Sequence, residues 1–278
     1  MLSLFVLEKL LDSQIKLLNL AIFLIDKKSI EVEGECISIE YEHNDTSVLI
    51  SLMLSAGGSI ETIKAISSLS HLRFSDSLPI ARAVVEGFIN ATYVLAVGKD
   101  AVDNAIAHAV AKSHKDLDKS SGKGAHKISV KQNREIIFGE SVQKQIKDFT
   151  HKKGFIKNWT DLSVPQRILK IDEAFGNLRA MELNGAYFMV YSDASEVIHC
   201  SYYGSLLSSG RTFFNNSPKN IEELTKAHEV HIESAYLSSI LALSGFLYSF
   251  SKYFGFKTLQ IKLDQNMEVL ADLAKRDK

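Results

Sequence analysis

The chain has 278 residues, 46% hydrophobic and 23% charged, with 15 glycines and only 3 prolines. That composition excludes a disordered or low-complexity chain, and two cysteines, Cys36 and Cys200, exclude a disulfide framework or a cysteine-rich zinc module. A formal net charge of −1 leaves no global field to draw the protein to nucleic acid or to a membrane.

The first eight residues carry no basic cluster, and their first charge is Glu8, so no secretory signal is expected and a cytoplasmic location is. Residues 2–25 place Leu7, Leu10, Leu11, Ile15, Leu18 and Ile22 at helical spacing, which predicts an amphipathic helix. Residues 29–41 alternate instead (Ile30, Val32, then Ile37, Ile39 and Tyr41), which suits a short hairpin around Gly34. Asn44 to Ser47 supply capping side chains before an apolar run to about Leu72, in which Gly57 and Gly58 bend the helix or split it. A strong helix follows Pro79 from residue 80 to about 97.

Residues 112–157 have a different character, with 12 Lys/Arg against 5 Asp/Glu, while the rest of the chain has 20 against 28. Lys119 to His126, rich in Ser, Gly and Lys, has the composition of a mobile loop. Pro165 opens a helix to Phe175, and a second helix runs from Asn177 to about Tyr203. Pro218 introduces a long helix ending at Gly255, and a final amphipathic helix carries Leu259, Leu263, Met267 and Leu270. The longest uncharged run, residues 234–251, reaches the lower length limit of a membrane span, but six of its 18 residues are serine and it reads as a buried core helix. The expected fold is all-α: a single bundle of about seven or eight helices over residues 1–278, with a basic, loop-rich insertion at about 112–157 and a short hairpin near 29–41.

Two stretches carry candidate chemistry. In Arg82-Ala-Val-Val-Glu86-Gly-Phe-Ile-Asn90, the residues Arg82, Glu86, Asn90 and Tyr93 form one narrow polar stripe on an otherwise apolar helix. Either the Arg82–Glu86 pair only fixes packing, or the carboxylate holds a guanidinium ready for an anion. In Tyr191-Ser-Asp-Ala-Ser195-Glu-Val-Ile-His199-Cys-Ser-Tyr202, the residues Tyr191, Ser195, His199 and Tyr202 share a face, which suits general acid–base chemistry or a half-buried, hydrogen-bonded histidine.

This pair of motifs, Arg-x3-Glu followed about a hundred residues later by Tyr-x3-Ser-x3-His, resembles a family of bacterial helical proteins catalogued as a domain of unknown function, over roughly residues 47–204. The resemblance implies an architecture like that of the HEPN helical nucleases and a phage-defence or toxin setting. HEPN ribonucleases place Arg and His four to six residues apart on one helix, and none of the seven arginines here has such a partner. A composite site, with Arg82 as phosphate ligand and His199 as acid–base, would replace it and needs no metal.

Metal ligation at Glu40/His43, Glu196/His199 or His228/His231 is the weaker reading, because Glu-x-x-His arises often by chance among nine histidines; no metal or other cofactor is expected. Lys144, Lys147, Lys152, Lys153 and Lys157, interleaved with Phe149, His151, Phe155 and Trp159, suit a single-stranded nucleic acid or simply a solvated basic surface. The expected function is a defence or toxin-type effector that cuts RNA. The alternative is a non-catalytic helical module that regulates an effector. RNA or single-stranded nucleic acid is the expected partner, a second protein or second copy the other, and no membrane.

Overall fold

The computed structural model describes residues 4–32, 34–39, 43–68, 74–116, 118–131, 140–151, 157–211 and 217–276. It divides into two compact units, residues 1–96 with 164–278, and residues 97–163.

The first unit begins with α1 (Leu4–Lys27), whose apolar stripe is buried from Leu7 to Ile25. Each fully buried leucine there contributes about 1.5–3 kcal/mol. The alternating segment forms the expected hairpin: β1 (Ser29–Val32) pairs antiparallel with β2 (Glu35–Ser38), Ile30 facing Ile37, and Gly34 in the turn at φ 81°. Next comes α2 (His43–Ser68), which runs unbroken through Gly57 and Gly58. A Cβ at Gly57 would stand 3.0 Å from Leu18 of α1, so this glycine serves close helix packing rather than a bend. A 3-10 turn, Phe74–Asp76, leads into α3 (Ser77–Val97).

After the second unit the chain returns with α6 (Val164–Phe175), α7 (Asn177–Ile198), α8 (Tyr202–Ser208), α9 (Ile221–Phe254) and α10 (Lys257–Arg276). The 34-residue α9 is the hub, packing against α1, α2, α7 and α10. Its Phe246 stacks on Phe88 of α3 with ring centroids 5.4 Å apart. Asn220 caps its N-terminus by accepting from Glu223 N at 2.9 Å, and Gly255 closes its C-terminus in the left-handed region. Core serines are satisfied within the fold: Ser239 and Ser249 donate to carbonyls one turn back, and Ser244 accepts from Gln14 of α1 at 2.6 Å. Among the described residues, three helices are long and apolar enough to cross a membrane by length and composition, at Thr46–Ser68, Ser77–Val97 and Ile221–Phe254; 67% of the most apolar stretch of α9 is buried inside the fold.

The second unit holds α4 (Lys99–Asp116), β3 (Asp118–Ser121), β4 (Ile128–Lys131) and α5 (Glu140–Asp148). The segment expected as a loop, Lys119 to His126, is instead a hairpin: β3 pairs antiparallel with β4, and a 3-10 turn, Gly124–His126, joins them. Gly122 makes that turn possible. It sits at φ 89°, and a Cβ there would fall 2.2 Å from the carbonyl oxygen of His126.

The described residues are thus mostly helical, with ten α-helices and two small strand pairs. The count exceeds seven or eight partly because the helix expected over 177–203 is two. His199 is the C-cap of α7, Cys200 takes a left-handed backbone at φ 49°, and Ser201 restarts the chain by capping α8, accepting from Gly204 N at 3.0 Å. Gly204 then packs directly on the end of α7, where a Cβ would lie 2.2 Å from Glu196 O.

Candidate anion-binding site

The narrow stripe on α3 meets α6 and α7. Arg82 donates from Nε to Glu86 Oε1 at 2.8 Å, with the two side chains 21% and 31% exposed. The Arg82 guanidinium lies over the ring of Tyr191, 4.1 Å from its centroid, and Tyr191 packs against Tyr187 with centroids 4.3 Å apart. Arg167 of α6 is buried and donates from Nη1 to Asn90 Oδ1.

The electrostatics follow from that placement. Burial lowers the pKa of Arg167 from its ordinary value, and the Glu86 carboxylate opposes the shift. Burial pushes the Tyr187 phenol up to about 12, helped by the neighbouring Tyr191 and by Glu86, so it remains a neutral donor at physiological pH. Arg82 is thus paired with Glu86, while Arg167 is bonded to Asn90 and feels the charge of the same carboxylate, as does Tyr187. Half-buried arginine forks beside hydroxyl donors are suited to a phosphate or carboxylate, because burial lowers the local dielectric and strengthens each charge-assisted bond.

Of the six residues expected to carry catalysis, the structure brings together Arg82, Glu86, Asn90 and Tyr191. Ser195 lies one turn further along α7, where its carbonyl accepts from His199 N at 3.0 Å. His199 is exposed at the end of α7, eight residues past Tyr191, or about 12 Å along the helix axis at 1.5 Å per residue. Tyr202, expected on the same face, begins α8 instead and is 74% exposed. Arg167 and Tyr187 are the additions. Tyr187 had a readable signal, one turn before Tyr191, whereas Arg167 sits in a short amphipathic helix with nothing in its spacing to link it to α3.

The basic set is only partly described. Lys144 and Lys147 are exposed on α5, Lys157 is exposed and donates to Asp148 O at 2.7 Å, and Lys152 and Lys153 lie outside the described residues. As for metal ligation, Glu40 also lies outside them, Glu196 accepts from Ser201 Oγ, and the rings of His228 and His231 stand 6.1 Å apart. Among the described residues, no group of three or more His, Cys, Asp or Glu side chains converges on one point. Burial lowers the pKa of both His228 and His231. Asp193 opposes the shift at His231, whose proximity adds to the shift at His228.

Fold and cluster together define a helical protein with a half-buried arginine–tyrosine site. The model of a family of unknown function, DUF5677, matches residues 47–216, more than half of the chain, and the protein belongs to that family. The match includes the site-bearing segments of α3, α6 and α7 and ends before α9. No curated protein and no solved structure matches the chain.

Proposed function

We propose that this protein is a cytoplasmic helical module that binds RNA or another single-stranded nucleic acid, and that Arg82 and Arg167 form its phosphate grip. The observation that carries this reading is the half-buried Arg82 guanidinium, paired with Glu86 and lying over Tyr191, with the buried Arg167 held by Asn90 one turn further along α3. Keeping a buried charge such as Arg167 is a poor route to stability, since an apolar side chain of similar volume would often serve as well. A ligand with negative charge gives it a purpose. The half-exposed tyrosines add donors and a stacking face next to the phosphate. The HEPN-like architecture and the defence or toxin setting that the family resemblance implies agree with a nucleic-acid ligand, and the module would act by occupying RNA and regulating an effector.

RNA cleavage is the second reading, favoured by one observation: His199 is exposed on the same helix as Tyr191, so a strand held at Arg82 could run on toward it. Fluorescence anisotropy with a labelled single-stranded RNA, followed by a gel of the same sample with chelator present, tests both. Arg82→Lys and Arg167→Met should each weaken binding about tenfold or more, the value of a lost charge-assisted fork. His199→Ala should leave affinity unchanged. Undiminished binding by both arginine variants would overturn the phosphate grip, and cleavage that disappears with His199→Ala would move the conclusion to the nuclease reading.

A further inference from the structure

A second group of ionisable side chains lies away from the arginine–tyrosine cluster, at the other end of α7. A surface cleft of about 280 Å³ opens there between the α6–α7 turn and helices α9 and α10. That volume is near the lower end of small-molecule sites. Arg179 and Lys252 supply positive charge to the cleft, Asn177 and Gln260 supply amides, and Phe175 and Leu178 supply apolar surface.

Arg179 is held ready rather than used up. Its guanidinium lies over the ring of Tyr248, 3.5 Å from the centroid, and its hydrogen bond to Glu182 is long, 3.4 Å. A well-made guanidinium–carboxylate bond is about 2.7–2.9 Å. Glu182 is only 11% exposed, and among the described residues its Oε2 has no hydrogen-bond partner. The groups acting on Glu182 come from three helices: Arg179 from α7, Tyr248 from α9 and Asp264 from α10, with Tyr248 donating to Asp264. Lys252, also on α9, lines the cleft and donates to Phe175 O at 3.2 Å.

We propose that this cleft binds a small organic carboxylate with an apolar body, whose carboxylate replaces Glu182 on Arg179 while Glu182 takes up a proton from solvent. The fork of Arg179 matches a carboxylate in two parallel bonds, Lys252 adds a second cation, and Phe175 with Leu178 faces the apolar body. Glu182 is already poised for the exchange, because burial, with Asp264 nearby, lifts its carboxyl to about 7 against the pull of Arg179. A bound anion raises it further. Affinity is therefore highest below pH 7, and it falls as Glu182 ionises and competes for Arg179.

Titration calorimetry of the full chain with benzoate, whose charge is constant between pH 6 and 8, tests the proposal, with neutral benzamide as control and ionic strength fixed by chloride. The expected result is saturable benzoate binding, none by benzamide, and an affinity about tenfold weaker at pH 8 than at pH 6, one unit of proton linkage. Glu182→Gln should keep the pH 6 affinity at both pH values, and the exposed Lys252→Gln should weaken binding severalfold without harm to folding. Absence of saturable benzoate binding at pH 6, equal binding of benzamide, or an unchanged pH dependence in Glu182→Gln would each overturn it. RNA binding should be the same in Lys252→Gln as in the wild type, so this cleft and the phosphate grip can fail separately.

Discussion

Glu86→Gln should lower stability and raise affinity for RNA at the same time. The substitution keeps an oxygen acceptor for Arg82 Nε but removes the charge that pairs with Arg82 and also acts on Arg167. Breaking an exposed ion pair costs about 0.2–1 kcal/mol, and breaking a buried one about 3–5 kcal/mol. With Arg82 and Glu86 at 21% and 31% exposure, the pair lies between these limits, so a loss of about 1–3 kcal/mol is expected. In a protein of this size that lowers Tm by roughly 2–10 °C. The binding effect has the opposite sign. With a phosphate on the guanidiniums about 7 Å from the carboxylate, and an effective dielectric of about 40, their repulsion is about 1.2 kcal/mol, so its removal should tighten binding by nearly tenfold. Differential scanning fluorimetry and RNA anisotropy on the same preparation read both quantities. A variant that is less stable and binds more weakly would refute the reasoning, because Glu86 would then be placing Arg82 rather than competing with the ligand.

Gly204→Ala should destabilise by about 1–3 kcal/mol, read as a lower urea midpoint, because its Cβ would meet the backbone at Glu196 and Val197 (2.2 Å from Glu196 O), which cannot move without shifting α8 off the end of α7. Glu182→Gln should stabilise the protein at pH 8 and not at pH 4. The raised pKa of about 7 gives a contribution fully present below the ordinary value of 4.5 and lost as pH rises through 7, so the variant's gain at pH 8 is roughly 1–3 kcal/mol, measured by urea unfolding across the pH range.

Several parts of the fold were legible in the sequence because one local signal was enough. The apolar stripe of α1, the alternation of β1 and β2, and the proline and glycine bounds of α9 are of that kind. The break between α7 and α8 was not legible, because it depends on the left-handed backbone of Cys200, a residue type with no preference for it, and on the contact of Gly204 with Glu196. The hairpin of residues 118–131 was hidden for a related reason. Its Ser, Gly and Lys composition favours a loop, while the two strands are set by cross-strand pairing and the turn at Gly122. Within the site, the Arg82–Glu86–Asn90 stripe follows from helical spacing alone. Arg167 reaches Asn90 from 77 residues away, and no pattern in one sequence reports such a contact.

The most direct measurement is the salt dependence of single-stranded RNA binding for the wild type and Arg167→Met. Each phosphate neutralised on a single strand contributes about 0.7 to the slope of log K against log salt. If Arg167 grips a phosphate, the variant, shown to be folded by circular dichroism, binds more weakly and its plot is flatter by about 0.7. Identical slopes and affinities in a folded Arg167→Met protein would contradict the phosphate grip.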